Sequence, residues 1–409
     1  MSLINTPLAE QIRIVITGLR NAGKSSLFNS LLENNLAIVS EVPGTTTDPV
    51  TKSMEMGKLG PVAFTDTAGI DDIGKLGKLR ISKTYEILKI ADIILFVTKI
   101  NDELTDREIE FYDEIKKLNK KVIVVFTYAN DKENISKINF FNNEITVKID
   151  NKNNYGINKL KETLVELSEH IDKEIKPLDG LVKKGDLIML VVPIDTAAPK
   201  GRLILPQVET IRDALDKNCQ IIITKENDVK KTYNNLIKKP NLVITDSQAF
   251  DKVALQIPKK QNLTSFSILF ARKKGNFDYF LDSLKYLKKS FIKPGSKIMI
   301  LESCTHHRQP DDIGTVKIPN LFKKHIQNDV KFEFFRELPE NEKIKEFKIA
   351  IFCAGCMVTR NKILERLKVL AELNIPVINY GLFLAFVNKL IPRAIMPLIN
   401  KRVHPRICN

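Results

Sequence analysis

No apolar run in this 409-residue chain approaches the roughly 20 residues that a membrane-spanning helix needs, which argues against a helical membrane protein. Met1 to Ile16 shows no secretory signal, so a cytoplasmic protein is expected. Cysteine is scarce, five in all, and in that compartment thiols stay reduced rather than pairing as disulfides. There is no arginine-rich block and no aromatic RNA-binding motif. Lys+Arg 64 against Asp+Glu 49 leaves a formal charge of +15. The lysines are scattered among acids, as at Lys116-Lys117, Lys238-Lys239 and Lys259-Lys260. That is the pattern of a solvated surface, and nucleic acid is not an expected partner. The length allows two or three domains, each with its own core.

What is present starts with Gly18-Leu19-Arg20-Asn21-Ala22-Gly23-Lys24-Ser25, a full match to G-x-x-x-x-G-K-S/T. Ile12 to Thr17 reads as a buried strand before it, and Ser25 to Leu32 as an amphipathic helix after it. Strand, glycine-rich turn and helix make a phosphate cradle, in which backbone amides and the helix N-terminus face phosphate oxygens. Gly18, Asn21, Ala22, Gly23, Lys24, Ser25 and Ser26 form that cradle. Lys24 is expected to reach the β- and γ-phosphates, and the Ser25 hydroxyl to ligate Mg²⁺.

Val62 to Thr65 reads as a strand ending in Asp66-Thr67-Ala68-Gly69. Asp66 can hold the Mg²⁺ shell, and the Gly69 amide can touch a γ-phosphate. Pro43 to Asp48 should be a mobile loop carrying a threonine hydroxyl to Mg²⁺. From Gln11 to Glu174 the chain resembles a GTPase of the TrmE-Era-Septin group. The resemblance makes Thr46 the switch threonine and places Asn21 where related members coordinate K⁺. Ile70 stands where fast signalling GTPases have a water-orienting glutamine, so slow GTP hydrolysis is expected without help from a cation, a partner or a second subunit.

GTPases usually carry Asn-Lys-x-Asp after the strand that Val122 to Phe126 would form. Here the residues are Thr127-Tyr128-Ala129-Asn130. An aspartate accepts twice from the guanine edge, whereas Asn130 offers one acceptor and one donor. Asp150-Asn151 falls where a Ser-Ala element should lie. GTP is expected on resemblance, with weakened or relaxed base recognition at Thr127 and Asn130.

The helix from Asn158 to Ile175 runs into Lys176-Pro177-Leu178-Asp179-Gly180, read as a linker. Strands at Asp186 to Pro193, Cys219 to Thr224 and Leu242 to Asp246 then alternate with helices at Thr210 to Asp216, Val229 to Ile237 and Ala249 to Leu255. The fold class expected is α/β: a P-loop GTPase domain followed by two smaller α/β domains with mostly parallel sheets. Their boundaries are placed at 1–175, 176–270 and 271–409. The middle block is either a regulatory or dimerisation module or an enzymatic domain with a hidden site. The Lys200-Gly201-Arg202 loop is either an anion contact or a solvated turn.

The third block opens with a helix at Asn276 to Leu287. Its strands Lys297 to Leu301 and Phe347 to Phe352 end in Cys304-x-His306 and Cys353-x-x-Cys356. Loops at the carboxyl edge of an open α/β sheet converge, so these side chains point to one site. Cys219 reads as a core thiol and Cys408 as a tail thiol. Spacing leaves open a structural zinc, an iron–sulfur cluster held by three cysteines, or a redox Cys-x-x-Cys. A ribosome- or RNA-associated GTPase with structural zinc is the alternative function.

The P-loop domain, the Asp195 to Gln207 segment and the two cysteine motifs together resemble the [FeFe]-hydrogenase maturation GTPases over nearly the full length. The resemblance implies a homodimeric scaffold that binds GTP and Mg²⁺. It implies a [4Fe-4S] cluster on Cys304, Cys353 and Cys356, and delivery of a di-iron precursor to apo-[FeFe]-hydrogenase alongside two radical-SAM maturation enzymes. Many members place histidine before the Cys-x-x-Cys pair, where this chain has Phe352. A non-thiolate fourth ligand is then expected from His306, His307, Glu302, Asp311 or water, with His306 first by its position.

Overall fold

Alternation of side chains along buried strands builds the first sheet. In β1 (Ile12–Thr17) Ile14 and Ile16 face one core, while Val15 faces another. Such two-sided burial is the mark of a sheet covered by helices on both faces. The computed structural model describes residues 8–33, 40–41, 49–69, 75–168, 175–193, 203–302, 312–353, 355–356 and 358–399. The chain divides into two compact units, Met1–Lys173 and Glu174–Asn409.

In the first unit, β1 is joined by β2 (Ser40–Glu41), β3 (Val50–Glu55), β4 (Pro61–Asp66), β5 (Ile93–Lys99), β6 (Lys121–Thr127) and β7 (Thr146–Lys148). The order is β2-β3-β4-β1-β5-β6-β7, antiparallel at the β2-β3-β4 edge and parallel elsewhere. Helices Lys24–Glu33 and Ile157–Ser168 cover one face, burying Leu27, Leu31, Leu160 and Leu164. On the other face Phe111 and Tyr112 of helix Asp106–Lys117 pack with Phe96 and Phe141. β1 lies centrally with its carboxyl end free to feed a loop, which positions the P-loop at the crevice where open α/β sheets bind ligands.

The second unit holds two parallel four-stranded sheets. The first comprises β8 (Leu187–Val191), β9 (Gln220–Thr224), β10 (Leu242–Thr245) and β11 (Leu263–Ser265), ordered β11-β10-β8-β9. The second comprises β12 (Ser296–Leu301), β13 (Val330–Phe335), β14 (Phe347–Phe352) and β15 (Val377–Asn379), ordered β13-β12-β14-β15. One hydrophobic core runs through both. Helix Phe266–Lys274 contributes Phe266, Ile268 and Leu269 to it and contacts helices from both sides, Leu205–Asp216 and Tyr380–Val387.

Three expectations differ in detail. The boundary at 270/271 falls inside helix Phe266–Lys274. The linker read at Lys176 to Gly180 is packed: Leu178 is fully buried, its N–H donates to Asp213 Oδ2 at 2.8 Å, and Arg272 donates to the carbonyls of Pro177 (3.1 Å) and Asp179 (2.8 Å). Proline and glycine there mark a tight turn, not slack chain. The helix expected over Asn276 to Leu287 is a short α-helix, Phe277–Ser283, followed by a 3₁₀ turn, Leu284–Tyr286. Among the described residues no helix is long and apolar enough to cross a membrane.

Candidate functional site

The P-loop leaves β1 under tight steric control. Gly18 sits at φ +146°, and a Cβ there would lie 2.1 Å from the Val97 carbonyl oxygen of β5, so only glycine fits. Asn21 takes φ 59°, a left-handed conformation that asparagine tolerates better than most residues. Ala22 and Lys24 are buried, Ser26 is exposed, and Leu27 N–H bonds the Gly23 carbonyl at 2.9 Å as the helix begins. Lys24 Nζ donates to the Leu19 carbonyl at 2.6 Å, across the mouth of its own loop.

Asp66 ends β4 beside this loop, and Ser25 Oγ donates to its Oδ2 at 2.7 Å. The other carboxylate oxygen, Oδ1, is buried without a hydrogen-bond partner. Burial raises the Asp66 carboxyl above its ordinary value, against the opposing pull of the Ser25 hydrogen bond and the Lys24 charge. An orphaned buried carboxylate oxygen next to a serine hydroxyl is a donor set suited to a hard, oxygen-seeking Mg²⁺. Thr67 fixes the strand end, donating Oγ1 to the Ile16 carbonyl at 2.9 Å, and Gly69 follows, half-buried. Thr46 and Ile70 lie outside the described residues.

Three loops close around the base side. Thr127 is fully buried, with Oγ1 2.8 Å from the Ala22 carbonyl, so it braces the P-loop from β6. Asn151 Nδ2 donates to the Gly23 carbonyl at 3.4 Å, bracing it from the loop after β7. Asn130 Nδ2 donates to Asp150 Oδ2 and ties the last two loops together. The role of Asp150 is not apparent from sequence, because the partner is 20 residues away and the motif it belongs to is degenerate.

In the second unit, Cys353 follows β14, its N–H bonded to Leu301 O at 3.2 Å, and Cys356 lies one turn on. Both thiols are half-buried. Buried Lys274 donates to the carbonyls of Cys356 (3.1 Å) and Val358 (3.0 Å), holding the Cys-x-x-Cys turn from helix Phe266–Lys274. Glu302, at the end of β12, accepts from Tyr380 OH at 3.3 Å. A Cβ on Gly314 would come within 1.6 Å of Glu302 Oε1, so glycine makes room for this pair. Burial, reinforced by the nearby Cys353 and Glu302 charges, pushes the Tyr380 hydroxyl well above its ordinary value, so it remains a donor. Gly314 belongs to a π-helical turn, Ile313–Lys317, a feature often found beside functional sites.

Cys304, His306, His307 and Asp311 lie outside the described residues, as does the Lys200-Gly201-Arg202 loop. Among the described residues no three metal-binding side chains gather. Two thiols and a carboxylate at the ends of adjacent strands β12 and β14, with Cys304 two residues past Glu302, are chemically suited to iron or zinc. Cys219 is buried, as expected of a core thiol, and burial raises its pKa. Lys274 and Tyr380 escaped the sequence reading, since a lysine after Arg272-Lys273 looks like an ordinary basic helix end.

Family models match three stretches of the chain. Residues 13–128 match a GTPase domain described as 50S ribosome-binding GTPase. Residues 178–275 match the hydrogen maturase F dimerization domain, and residues 278–397 its tetramerization domain. The tRNA modification GTPase MnmE of Aquifex aeolicus is 33% identical over 159 residues, 39% of this chain and 35% of that protein. MnmE of Thermoanaerobacter sp. is 41% identical over 107 residues, 26% of this chain and 23% of that one. The match thus spans about a third or less of the length of these curated relatives. Among solved structures, Era of Aquifex aeolicus is 21% identical with a TM-score of 0.33, over 60% of this chain and 97% of that one.

Proposed function

The chain belongs to the hydrogen maturase F family, a hydrogenase maturation GTPase, and on that premise we propose that it is a GTP-binding scaffold that carries a di-iron precursor to apo-[FeFe]-hydrogenase. The observation that carries this reading is one polypeptide holding a Ser25–Asp66 pair at a P-loop and a braced Cys353-x-x-Cys356 turn within the family-specific region. Lys24 leaves the Leu19 carbonyl for phosphate, Ser25 and Asp66 hold Mg²⁺, and Asn21 is available to K⁺. Bound Mg²⁺ would neutralise phosphate charge. Thr46 would report the nucleotide's presence as the switch threonine, and the nucleotide state would bias partner docking rather than assemble the cluster. Hydrolysis is slow because Ile70 cannot orient water.

Cys304, Cys353 and Cys356 would hold a [4Fe-4S] cluster, with His306, His307, Glu302, Asp311 or water as the fourth ligand. Such a cluster would supply an iron site able to accept an exchangeable ligand. The chain's own part is to fix the turn through Lys274 and to orient Glu302 through Tyr380. A homodimer, the hydrogenase and two radical-SAM enzymes are the proposed partners. Residues 1–175 would serve the nucleotide function, and the two sheets of the second unit, divided after helix Phe266–Lys274 rather than at 270/271, the dimer and cluster functions.

The test is anaerobic reconstitution with iron and sulfide, followed by EPR of the reduced protein and of Cys304→Ala, Cys353→Ala and Cys356→Ala together. A reduced [4Fe-4S] signal, lost in the triple variant, is expected. A colourless protein holding one zinc would sink the carrier reading.

A further inference from the structure

The nucleotide site departs from the usual guanine-reading pattern in two motifs, and one departing residue of each touches the other. Asn130 stands in place of the aspartate, and Asp150 stands in the neighbouring Ser-Ala element. Their side chains are hydrogen-bonded, Asn130 Nδ2 to Asp150 Oδ2. The carboxylate is itself held, since Oδ1 accepts from Lys152 N–H at 2.9 Å. The two loops are pinned at backbone level by Ala129 N–H to Ile149 O at 3.0 Å and Asp150 N–H to Tyr155 O at 3.1 Å. Thr127 and Asn151 fasten them to Ala22 and Gly23 of the P-loop.

The chemistry of the pair fixes its direction. An ionised carboxylate only accepts, so the amide must turn its NH₂ toward Asp150 and its carbonyl away. The amide nitrogen that would have opposed the guanine N–H groups is thereby held toward Asp150, with one of its two N–H groups engaged. Asn130 is left presenting Oδ1, an acceptor, at a solvent-exposed position on the same loop as Tyr128. A lone carbonyl acceptor complements a purine with N1–H, which guanine and hypoxanthine share. Adenine offers a bare N1 acceptor there, and acceptor against acceptor is rejected.

We propose that Asp150 is the specificity-determining residue of this nucleotide site: it locks the Asn130 amide so that its carbonyl selects 6-oxopurine nucleotides over adenine nucleotides. Asp150 is a positioning residue, acting through Asn130. The proposal rests on the nucleotide-binding reading above. It also makes a distinction that the usual aspartate would not: with one acceptor in place of a carboxylate, the guanine 2-amino group adds little, and GTP and ITP bind alike.

The experiment measures the affinities of the full-length protein for Mg²⁺ complexes of GTP, ITP and ATP, in wild type, Asp150→Ala and Asn130→Asp/Asp150→Ser. In the wild type, GTP and ITP should agree within about threefold, and ATP should bind at least about tenfold more weakly, the discrimination expected of one mismatched hydrogen bond. Asp150→Ala frees the amide to rotate, and the GTP-over-ATP preference should fall by about tenfold. The double variant moves the carboxylate back to position 130, where it can accept from both guanine donors, and the GTP-over-ITP preference should widen by about tenfold. An unchanged base ranking in Asp150→Ala overturns the proposal. If that variant does not fold, an unchanged ranking in the double variant overturns it equally. A wild type that binds none of the three nucleotides removes the nucleotide-binding reading as well, whereas binding with a ranking indifferent to Asp150 removes this inference alone.

Discussion

At Gly18 a single methyl group decides whether the phosphate cradle can form. With a Cβ 2.1 Å from the Val97 carbonyl, Gly18→Ala must shift either the loop or the sheet. Nucleotide affinity should drop by about 100-fold or more, with a stability loss of about 2 kcal/mol or more, checked by nucleotide titration and thermal melting. Asp66 behaves differently. Its folded carboxyl titrates above the ordinary 3.8, because burial disfavours the charge. The unfolded chain releases that proton at lower pH than the fold does, so the ligand-free protein loses stability as pH rises from about 3.8 through the raised folded value. Asp66→Asn should flatten that fall and raise the ligand-free melting temperature at neutral pH, while abolishing Mg²⁺-dependent nucleotide binding. Melts across pH, with and without Mg²⁺ and GTP, separate the two effects.

Between elements, buried charges act as rivets. Lys137 of helix Ile135–Phe140 and Glu108 of helix Asp106–Lys117 pair at 3.0 Å with both side chains 2% exposed. Thr98 of β5 donates to the same Glu108, and Lys137 reaches the Lys99 carbonyl at 3.2 Å. Lys137→Met strands a buried carboxylate and should cost about 3–5 kcal/mol, whereas Glu108→Leu/Lys137→Met should recover most of it, both read by denaturant unfolding. Lys274→Met leaves the Cys356 and Val358 carbonyls without their buried donor. The expected outcome is faster alkylation of Cys353 and Cys356 by a thiol reagent, with secondary structure unchanged by circular dichroism. Elements with local signatures were legible in sequence: the P-loop strand, Val122 to Phe126 and Phe347 to Phe352 could each be read from hydrophobicity and the residues that follow. The rivets were not, because Glu108 and Lys137 look like ordinary helix-surface residues until two elements meet. The Lys176 to Gly180 turn was misread for the same reason, since its anchor, Arg272, lies more than 90 residues away.

Across the whole chain, alternation of strand and helix made the α/β class plain, but it gave no sign of where one core ends. Both four-stranded sheets share a core in the second unit, so 174–409 should melt in a single calorimetric transition when expressed alone. A chain cut at 270/271 should fail to do so, because the cut divides helix Phe266–Lys274 between Phe270 and Ala271, both buried. Three cysteines were read from sequence as a candidate metal site; of these, Cys353 and Cys356 are described, and the contacts around their turn and Glu302 come from three distant segments, at Lys274, Gly314 and Tyr380. One of these supports also bears on loading. Lys274 places an ammonium group, 1% exposed, against the carbonyls of the turn whose thiols, on the proposed reading, would become anionic on binding metal. The turn therefore carries a resident counter-ion of its own, and negative charge gathered there under the proposed carrier role would meet a field already set to receive it.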